Sequence, residues 1–101
     1  MKVTRVQYTV RAEFVEANKR NIEAVMRELR ATGGNDVKYA VYLQQDGRTF
    51  MHVVHQGSAE AQRFPTSLES FKTFQAQLRP NLEGPPQVET LALVESSAPI
   101  F

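Results

Sequence analysis

The chain has 101 residues, 42% of them hydrophobic and 23% charged, which fits one globular domain and excludes two. With 12 Lys and Arg residues against 11 Asp and Glu, it lacks the dense basic surface that nucleic acids and acidic membranes require. The absence of cysteine rules out disulfides, thiolate metal sites and cysteine nucleophiles. No apolar stretch approaches the ~20 residues of a spanning helix, and no apolar signal core begins the chain. We therefore expect a soluble cytoplasmic protein that binds neither nucleic acid nor membranes.

The first two predicted elements differ in the period of their apolar residues. Apolar and polar residues alternate over residues 3–14, which predicts a strand. Apolar residues then recur every three or four positions, which predicts an amphipathic helix over residues 16–32. They are Ile22, Val25, Met26 and Leu29. Gly33 and Gly34 follow, and glycines at this position are typical of a helix stop.

A β-hairpin is predicted around Asp46 and Gly47, because Asp-Gly between two alternating runs favours a type I′ turn. Counting outwards from that turn fixes the register of the two strands. The predicted pairs are Leu43–Phe50, Val41–His52 and Tyr39–Val54 on one face, and Tyr42–Met51, Ala40–Val53 and Lys38–His55 on the other. The first set is the more apolar, so we expect it to face the helices.

A second helix is predicted to begin at a capping box formed by Thr66 and Glu69 and to end near Arg79, before Pro80. A last strand follows over residues 88–94. The order β-α-β-β-α-β predicts an α+β, ferredoxin-like domain with a four-stranded antiparallel sheet and both helices on one face. This single domain is predicted over residues 1–96, and residues 97–101 form a loose C-terminal tail.

The sheet face away from the helices is predicted to be an interface. Its apolar residues are Ala40, Tyr42, Met51 and Val53. An exposed apolar patch usually marks a contact surface, and the simplest partner is a second copy related by a two-fold axis. We therefore expect a homodimer through this face. The first strand adds Arg5, Gln7, Thr9 and Arg11, which we expect to be paired or to contact the dimer mate; alternatively, the two arginines hold an anionic ligand.

Four segments carry a resemblance to a known family. They are residues 6–10 (VQYTV), 48–54 (RTFMHVV), 70–78 (SFKTFQAQL) and 82–88 (LEGPPQV). Together with the strand-helix-hairpin-helix-strand order, they resemble the dimeric α/β-barrel proteins, and within them the antibiotic-biosynthesis-monooxygenase-like (ABM-like) domains. The resemblance covers about residues 3–95.

The chain also departs from the pattern of familiar members. Many carry Glu-x-Trp at the end of the third strand, where this chain has His55-Gln56-Gly57. Haem-degrading relatives use a histidine of the second long helix, but residues 67–79 contain none. We therefore do not expect haem degradation, and the relatives that work without metal or flavin imply that no cofactor is needed. The resemblance leaves relatives that oxidise quinol-like aromatics, in which the substrate lies between sheet and helices and its own electron-rich anion reacts with oxygen.

His52 is the candidate catalytic base, because the predicted register places it on the helix-facing side beside Tyr39. Working near its ordinary pKa, it would take a phenolic proton; the alternative is a core histidine hydrogen-bonded to a tyrosine or a backbone carbonyl. Tyr8 and Tyr39 are candidates for orienting a substrate, or else pack as core residues. Candidate walls of an aromatic pocket, or plain core residues, are Phe64, Phe71 and Phe74.

No metal site is predicted, because His52 and His55 are three residues apart on a strand and point to opposite faces. Three function hypotheses follow. The first is a cofactor-free monooxygenase acting on a small electron-rich aromatic such as a quinol. The second is a small-molecule-binding or stress-related module of the same fold without turnover, and the third is a dimerisation module with a filled core.

Overall fold

The structure, a computed structural model, describes residues 1–32 and 36–101 and contains the predicted order of strands and helices. The strands are β1 (Lys2–Thr9), β2 (Val37–Leu43), β3 (Thr49–Gln56) and β4 (Gln87–Leu91), and the helices are α1 (Val15–Thr32) and α2 (Glu69–Leu78). The strands form one antiparallel sheet in the order β2-β3-β1-β4. This arrangement confirms the predicted α+β, ferredoxin-like class. The predicted helix stop at Gly33 and Gly34 lies outside the described residues.

The β2–β3 hairpin confirms every predicted pair of its register. The predicted type I′ turn is wrong, because Gly47 has a φ of 74° whereas Asp46 does not have the positive φ that such a turn requires. Instead, the Asp46 carboxylate accepts hydrogen bonds from the backbone N–H groups of Arg48 and Thr49, each at 2.9 Å. These bonds organise the loop without changing the residue count, so the register survives the different turn.

Strand β1 ends at Thr9, earlier than the alternation predicted. Thr9 lies opposite Thr49, the first residue of β3, and the chain before Thr49 is the hairpin loop. Beyond this point β1 has no continuous neighbour to pair with, and Val10 forms an isolated bridge to Leu82. The backbone then enters a short 3-10 turn that buries Phe14 in the core.

The first turn of α2 is held by α1 rather than by its own sequence. The predicted capping box is wrong, because the Thr66 hydroxyl donates to the backbone oxygen of Arg63 at 3.3 Å. A carboxylate oxygen of Glu28 accepts hydrogen bonds from the hydroxyl and the backbone N–H of Ser70, at 2.6 and 2.9 Å. These two bonds hold the pKa of Glu28 below its usual range, and they join the start of α2 to α1.

The core lies between the sheet and the two helices. Its buried members are Tyr8, Val10, Phe14, Val25, Leu29, Phe50, Leu68, Phe71, Phe74 and Leu78. Phe50 is 2% exposed and stacks on Tyr8, with ring centroids 5.7 Å apart. This packing fixes the position of the Tyr8 ring. Within residues 1–32 and 36–101, neither helix has the length and apolar character needed to cross a membrane.

The polar side chains of β1 on the open face, the sheet face away from the helices, are paired with their neighbours. Arg5 lies opposite Glu89 of β4 and forms an ion pair with it at 3.3 Å. Arg5 also donates a hydrogen bond to the side-chain oxygen of Gln7. The hydroxyls of Thr9 and Thr49 lie 2.7 Å apart. These contacts favour a structural role over anion binding for Arg5.

The C-terminal tail packs on the open face. β4 ends at Leu91 rather than at residue 94, and the chain then reaches the β2–β3 end of the sheet. The ring of Phe101 lies so close to Gly57 that a Cβ there would come within 3.2 Å of it. The Lys38 ammonium lies 5.3 Å from the centre of the same ring. Ile100 lines a groove with Lys38, Tyr39, Ala40, Tyr42, Val53 and His55.

Candidate active site

A cavity of about 230 Å³ lies between the sheet and α2. Its apolar walls are Val6, Phe71, Phe74, Leu78, Leu82 and Val88. The sheet also contributes three polar side chains to the lining, Tyr8, Tyr39 and His52. An apolar cavity of ~150 Å³ is enough to hold benzene. This cavity therefore has room for a small aromatic molecule, and its polar groups could orient that molecule.

His52 is hydrogen-bonded through both ring nitrogens. Its Nε2 lies 2.6 Å from the hydroxyl of Tyr8, and its Nδ1 lies 2.6 Å from the hydroxyl of Tyr39. Strand β3 pairs with β1 on one side and β2 on the other, so a tyrosine from each neighbour reaches the same imidazole. Asn18 of α1 completes the group, because its Nδ2 donates to the Tyr8 hydroxyl at 3.0 Å. We call these four side chains the polar cluster.

Aromatic rings of α2 lie over the polar cluster. The ring of Phe74 is centred 5.5 Å from that of His52, and the rings of Phe71 and Phe74 are also 5.5 Å apart. Both phenylalanines are buried, with exposures of 9% and 4%. They keep water away from one side of the imidazole and offer an aromatic ligand two rings to pack against.

Burial shifts the pKa values of all three titratable groups in the cluster. It lowers the pKa of His52 to about 4, so the imidazole is neutral at pH 7. The expectation that His52 works near its ordinary pKa is therefore wrong. Burial also raises the pKa of Tyr8, an effect that the hydrogen bond from Asn18 partly opposes. For Tyr39, burial and the nearby Tyr8 raise the pKa, and both phenols stay protonated at neutral pH.

Known structures share this fold. A solved structure described as an antibiotic biosynthesis monooxygenase superposes with a TM-score of 0.79 and 12% identity, covering 94% of this chain and 100% of that one. Rv0793 from Mycobacterium tuberculosis superposes with a TM-score of 0.78 and 19% identity, covering 96% of this chain and 98% of that one. PA3566 from Pseudomonas aeruginosa superposes with a TM-score of 0.73 and 18% identity, covering 93% of this chain and 95% of that one. No model of a protein family matches the sequence, and no curated protein does so.

The chain has the ABM-like fold. The superpositions extend over nearly its whole length and confirm, for the fold, the resemblance that the sequence carries. At identities of 12% to 19% the likeness concerns the fold. What the chain does has to be argued from its own cavity.

Of the residues predicted for the site, the ABM-like fold brings together Tyr8, Tyr39 and His52 with two of the three phenylalanines. Phe64 lies elsewhere, since it lines a different surface groove with residues that include Val37 and Ala61. Its proposed place in the wall of the pocket is therefore corrected. Within the described ranges, 1–32 and 36–101, no group of three or more His, Cys, Asp or Glu side chains is placed to hold a metal ion.

Asn18 belongs to the site and was missed in the sequence. It is fully buried, with an exposure of 0%. The signal was present, because position 18 continues the apolar stripe of α1 back from Ile22, Val25 and Leu29 at helical spacing. An asparagine at a core position of an amphipathic helix needs a polar partner. Only the folded chain shows that this partner is the Tyr8 hydroxyl.

The low pKa of His52 makes folding stability depend on pH. The unfolded chain binds a proton at this histidine below about pH 6.5, whereas the folded chain does so only near 4. The contribution is therefore fully present above pH 6.5 and is lost as the pH falls towards 4. At roughly 1.4 kcal/mol per pH unit, we expect a loss of about 2 kcal/mol between pH 7 and pH 5. Urea unfolding at the two pH values measures it, and a His52→Gln variant should lose less; equal losses would contradict the assignment.

Proposed function

We propose that the protein is a cofactor-free monooxygenase that acts on a small electron-rich aromatic, such as a quinol, bound between the sheet and the helices. The observation that carries the proposal is the meeting of a neutral imidazole with two phenol hydroxyls at the wall of an apolar cavity. The volume of about 230 Å³ suits a compact aromatic ring system. The tyrosines and the phenylalanine rings would orient it.

In this proposal His52 is the acceptor of the substrate's phenolic proton. The imidazole is neutral at pH 7, so its unprotonated nitrogen can take up a proton that a tyrosine hydroxyl bonded to it passes on. Because burial makes the imidazolium unfavourable, the proton is held mainly while the substrate anion lies next to it. The phenols of Tyr8 and Tyr39 remain protonated, and the one that does not donate to His52 can stabilise negative charge on a substrate oxygen by hydrogen bonding.

The anion left by proton removal supplies the electrons for the reaction with dioxygen. The O–O bond breaks: one oxygen atom becomes bonded to a ring carbon in place of its hydrogen, and the other leaves as water with two hydrogen atoms from the substrate, which becomes a quinone. Atoms and electrons balance with the substrate as the only reductant, so the step needs no flavin or metal. The part of this chain is to bind the aromatic, to take its proton and to keep bulk water from the anion.

One feature favours a second candidate, a small-molecule-binding module without turnover. Both ring nitrogens of His52 already have tyrosine partners at 2.6 Å. A histidine satisfied in this way can simply hold the two strands and the cavity wall in place. A proton can be passed through the tyrosines, however, and so the two candidates have to be separated by experiment.

The first experiment combines ligand binding with oxygen uptake. Hydroxylated aromatics, quinols and quinones are screened by thermal shift, with the methyl ethers of the same compounds as matched controls. A ligand at 100 times its Kd should stabilise the domain by about 2.7 kcal/mol, which is several degrees in melting temperature. We expect oxygen uptake with a bound quinol and none with its ether. Binding without uptake supports the binding module, and no shift from any compound contradicts both candidates.

We also propose that a second copy of the chain binds the open face. Apolar side chains remain exposed there and along the segment after β4, with Tyr42 at 60%, Leu91 at 37% and Val94 at 96%. The charges of Arg5 and Glu89 neutralise each other within the sheet. The chain's formal charge of +1 gives little repulsion between two copies. A face that is apolar and locally neutral is suited to an isologous contact.

A further inference from the structure

A neutral His52 cannot donate both of its hydrogen bonds, and it cannot accept both. A neutral imidazole carries one N–H and one unprotonated nitrogen. One of the two tyrosines must therefore donate its hydroxyl proton to His52, and the other must accept a proton from it. Two arrangements satisfy both 2.6 Å distances. They differ in which tyrosine can donate its hydroxyl proton to a ligand or water in the cavity.

Asn18 distinguishes the two tyrosines. Its Nδ2 donates to the Tyr8 oxygen at 3.0 Å and takes up one of the lone pairs of that oxygen. Tyr8 is 4% exposed, so its own hydroxyl proton needs a partner inside the protein, and Nε2 of His52 lies at hydrogen-bonding distance. If Nε2 donated instead, the Tyr8 proton would be buried without a partner among the described residues. Both tyrosines border the cavity, but Tyr39 is half-buried and the more open of the two, so a ligand or water there can accept its proton.

A second observation concerns the other end of the Asn18 side chain. Its Oδ1 is buried and has no hydrogen-bond partner in residues 1–32 and 36–101. A core asparagine with half of its amide unsatisfied costs stability, and such a group in a folded protein calls for an explanation. The bond to Tyr8 explains why an asparagine is present. An apolar side chain at position 18 would not determine which tyrosine donates its hydroxyl proton to His52.

We infer that Asn18 fixes the direction of a single hydrogen-bond chain that runs from Asn18 through Tyr8 and His52 to Tyr39 and ends in the cavity. His52 then carries its proton on Nδ1, and Tyr39 presents its hydroxyl proton to the ligand. Tyr8 and Tyr39, which are equally close to the imidazole, have opposite roles. Asn18 is a positioning residue, since it acts through Tyr8.

The chain's direction also narrows the ligand class, a step that rests on the proposed function. Tyr39 offers a proton, so it favours a carbonyl or anionic oxygen on the ligand. A ligand hydroxyl can lose its proton to Tyr8: the ligand O–H bond breaks, the Tyr8 oxygen takes that proton, and Tyr8 passes its own to Nε2 of His52. The ligand is left as the anion and His52 as the cation. The class that fits is an aromatic with two oxygen substituents, one of them a hydroxyl.

Nitrogen NMR of the unliganded protein tests the direction without reference to any activity. The chain has two histidines, and a His55→Gln variant on the open face assigns the signals of His52. In two-bond proton–nitrogen correlations at pH 7.5, we expect a protonated Nδ1 and an unprotonated Nε2. The reverse pattern, or averaged shifts on both nitrogens, would overturn the inference. Because no ligand is present, failure here is distinct from failure of the proposed monooxygenase.

Two substitutions then test the part of Asn18. In Asn18→Asp an ionised carboxylate can only accept, so at a pH where its carbon-13 shift shows it to be ionised we expect the protonated and unprotonated shifts to exchange between Nδ1 and Nε2. Asn21→Asp is the matched control on the same helix; Asn21 bonds Gln77 at 2.8 Å on the surface, and this change should leave His52 unaltered. Unchanged His52 shifts in a folded Asn18→Asp variant would refute the role of Asn18. If that variant does not fold, the wild-type spectrum still decides the direction.

Discussion

Replacing His52 by glutamine is expected to lower turnover of the aromatic substrate about 10²–10⁴-fold, the range that a positioned acid-base group contributes. The glutamine amide can still bond to the hydroxyls of Tyr8 and Tyr39, but it cannot hold a proton at neutral pH. Ligand affinity should therefore change much less than kcat. Oxygen uptake and thermal shift on the same variant measure the two quantities separately.

The alanine variant at this position gives a less direct answer. It removes a side chain that is 4% exposed and leaves the hydroxyls of Tyr8 and Tyr39 without their partner. His52→Ala should therefore lose stability as well as activity. His55→Ala is the matched control, because His55 lies on the open face beside Lys38 and should retain kcat. A His52→Gln protein with wild-type kcat would exclude His52 as the proton acceptor.

The parts of the fold that local patterns determine were predictable. The β2–β3 register follows from the number of residues between the strands and from which face is apolar. It placed Val41 opposite His52, and Tyr39 two pairs further along on the same face, as the structure confirms. The different conformation at Asp46 did not alter this, because a register depends on the residue count of the loop and not on its dihedral angles.

The features that were predicted wrongly depend on contacts distant in sequence. The alternation of β1 continues past Thr9, but a strand needs a neighbour, and the hairpin loop removes it there. Thr66 and Glu69 have the spacing of a capping box, yet Glu28 of α1 bonds to the first turn of α2 and replaces it. A side chain 42 residues away cannot be predicted from the local sequence around the start of the helix.

The candidate site was predictable only where it depends on strand pairing. Periodicity places Tyr8, Tyr39 and His52 on one face of the sheet, and so their proximity follows from strand pairing. The low pKa of His52 could not be predicted, because it depends on how completely α2 covers the imidazole. Phe64 has the residue type expected of a pocket wall, but the polar connection after β3 carries it to another part of the surface.

A charge placed at Met51 is expected to dissociate the proposed dimer. Met51 lies opposite Gln7 of β1 and opposite Tyr42 of β2, in the interior of the open face. In Met51→Glu a two-fold contact would bury two carboxylates without partners. Removing such charges from water costs several kcal/mol, which should raise the dimer Kd at least ~100-fold. Sedimentation should change from twice 11.4 kDa to 11.4 kDa.

The position of the C-terminal tail makes Met51 a better probe than Val53. Ile100 lines the groove beside Val53 and His55, so a charge at Val53 would disturb the tail as well as a partner. Ala76→Glu on the exposed side of α2 is the matched control and should remain dimeric. A wild-type chain that sediments as a monomer, or a Met51→Glu variant that stays dimeric, would contradict the proposed contact. Dissociation by Ala76→Glu alone would instead place the interface on the helical layer.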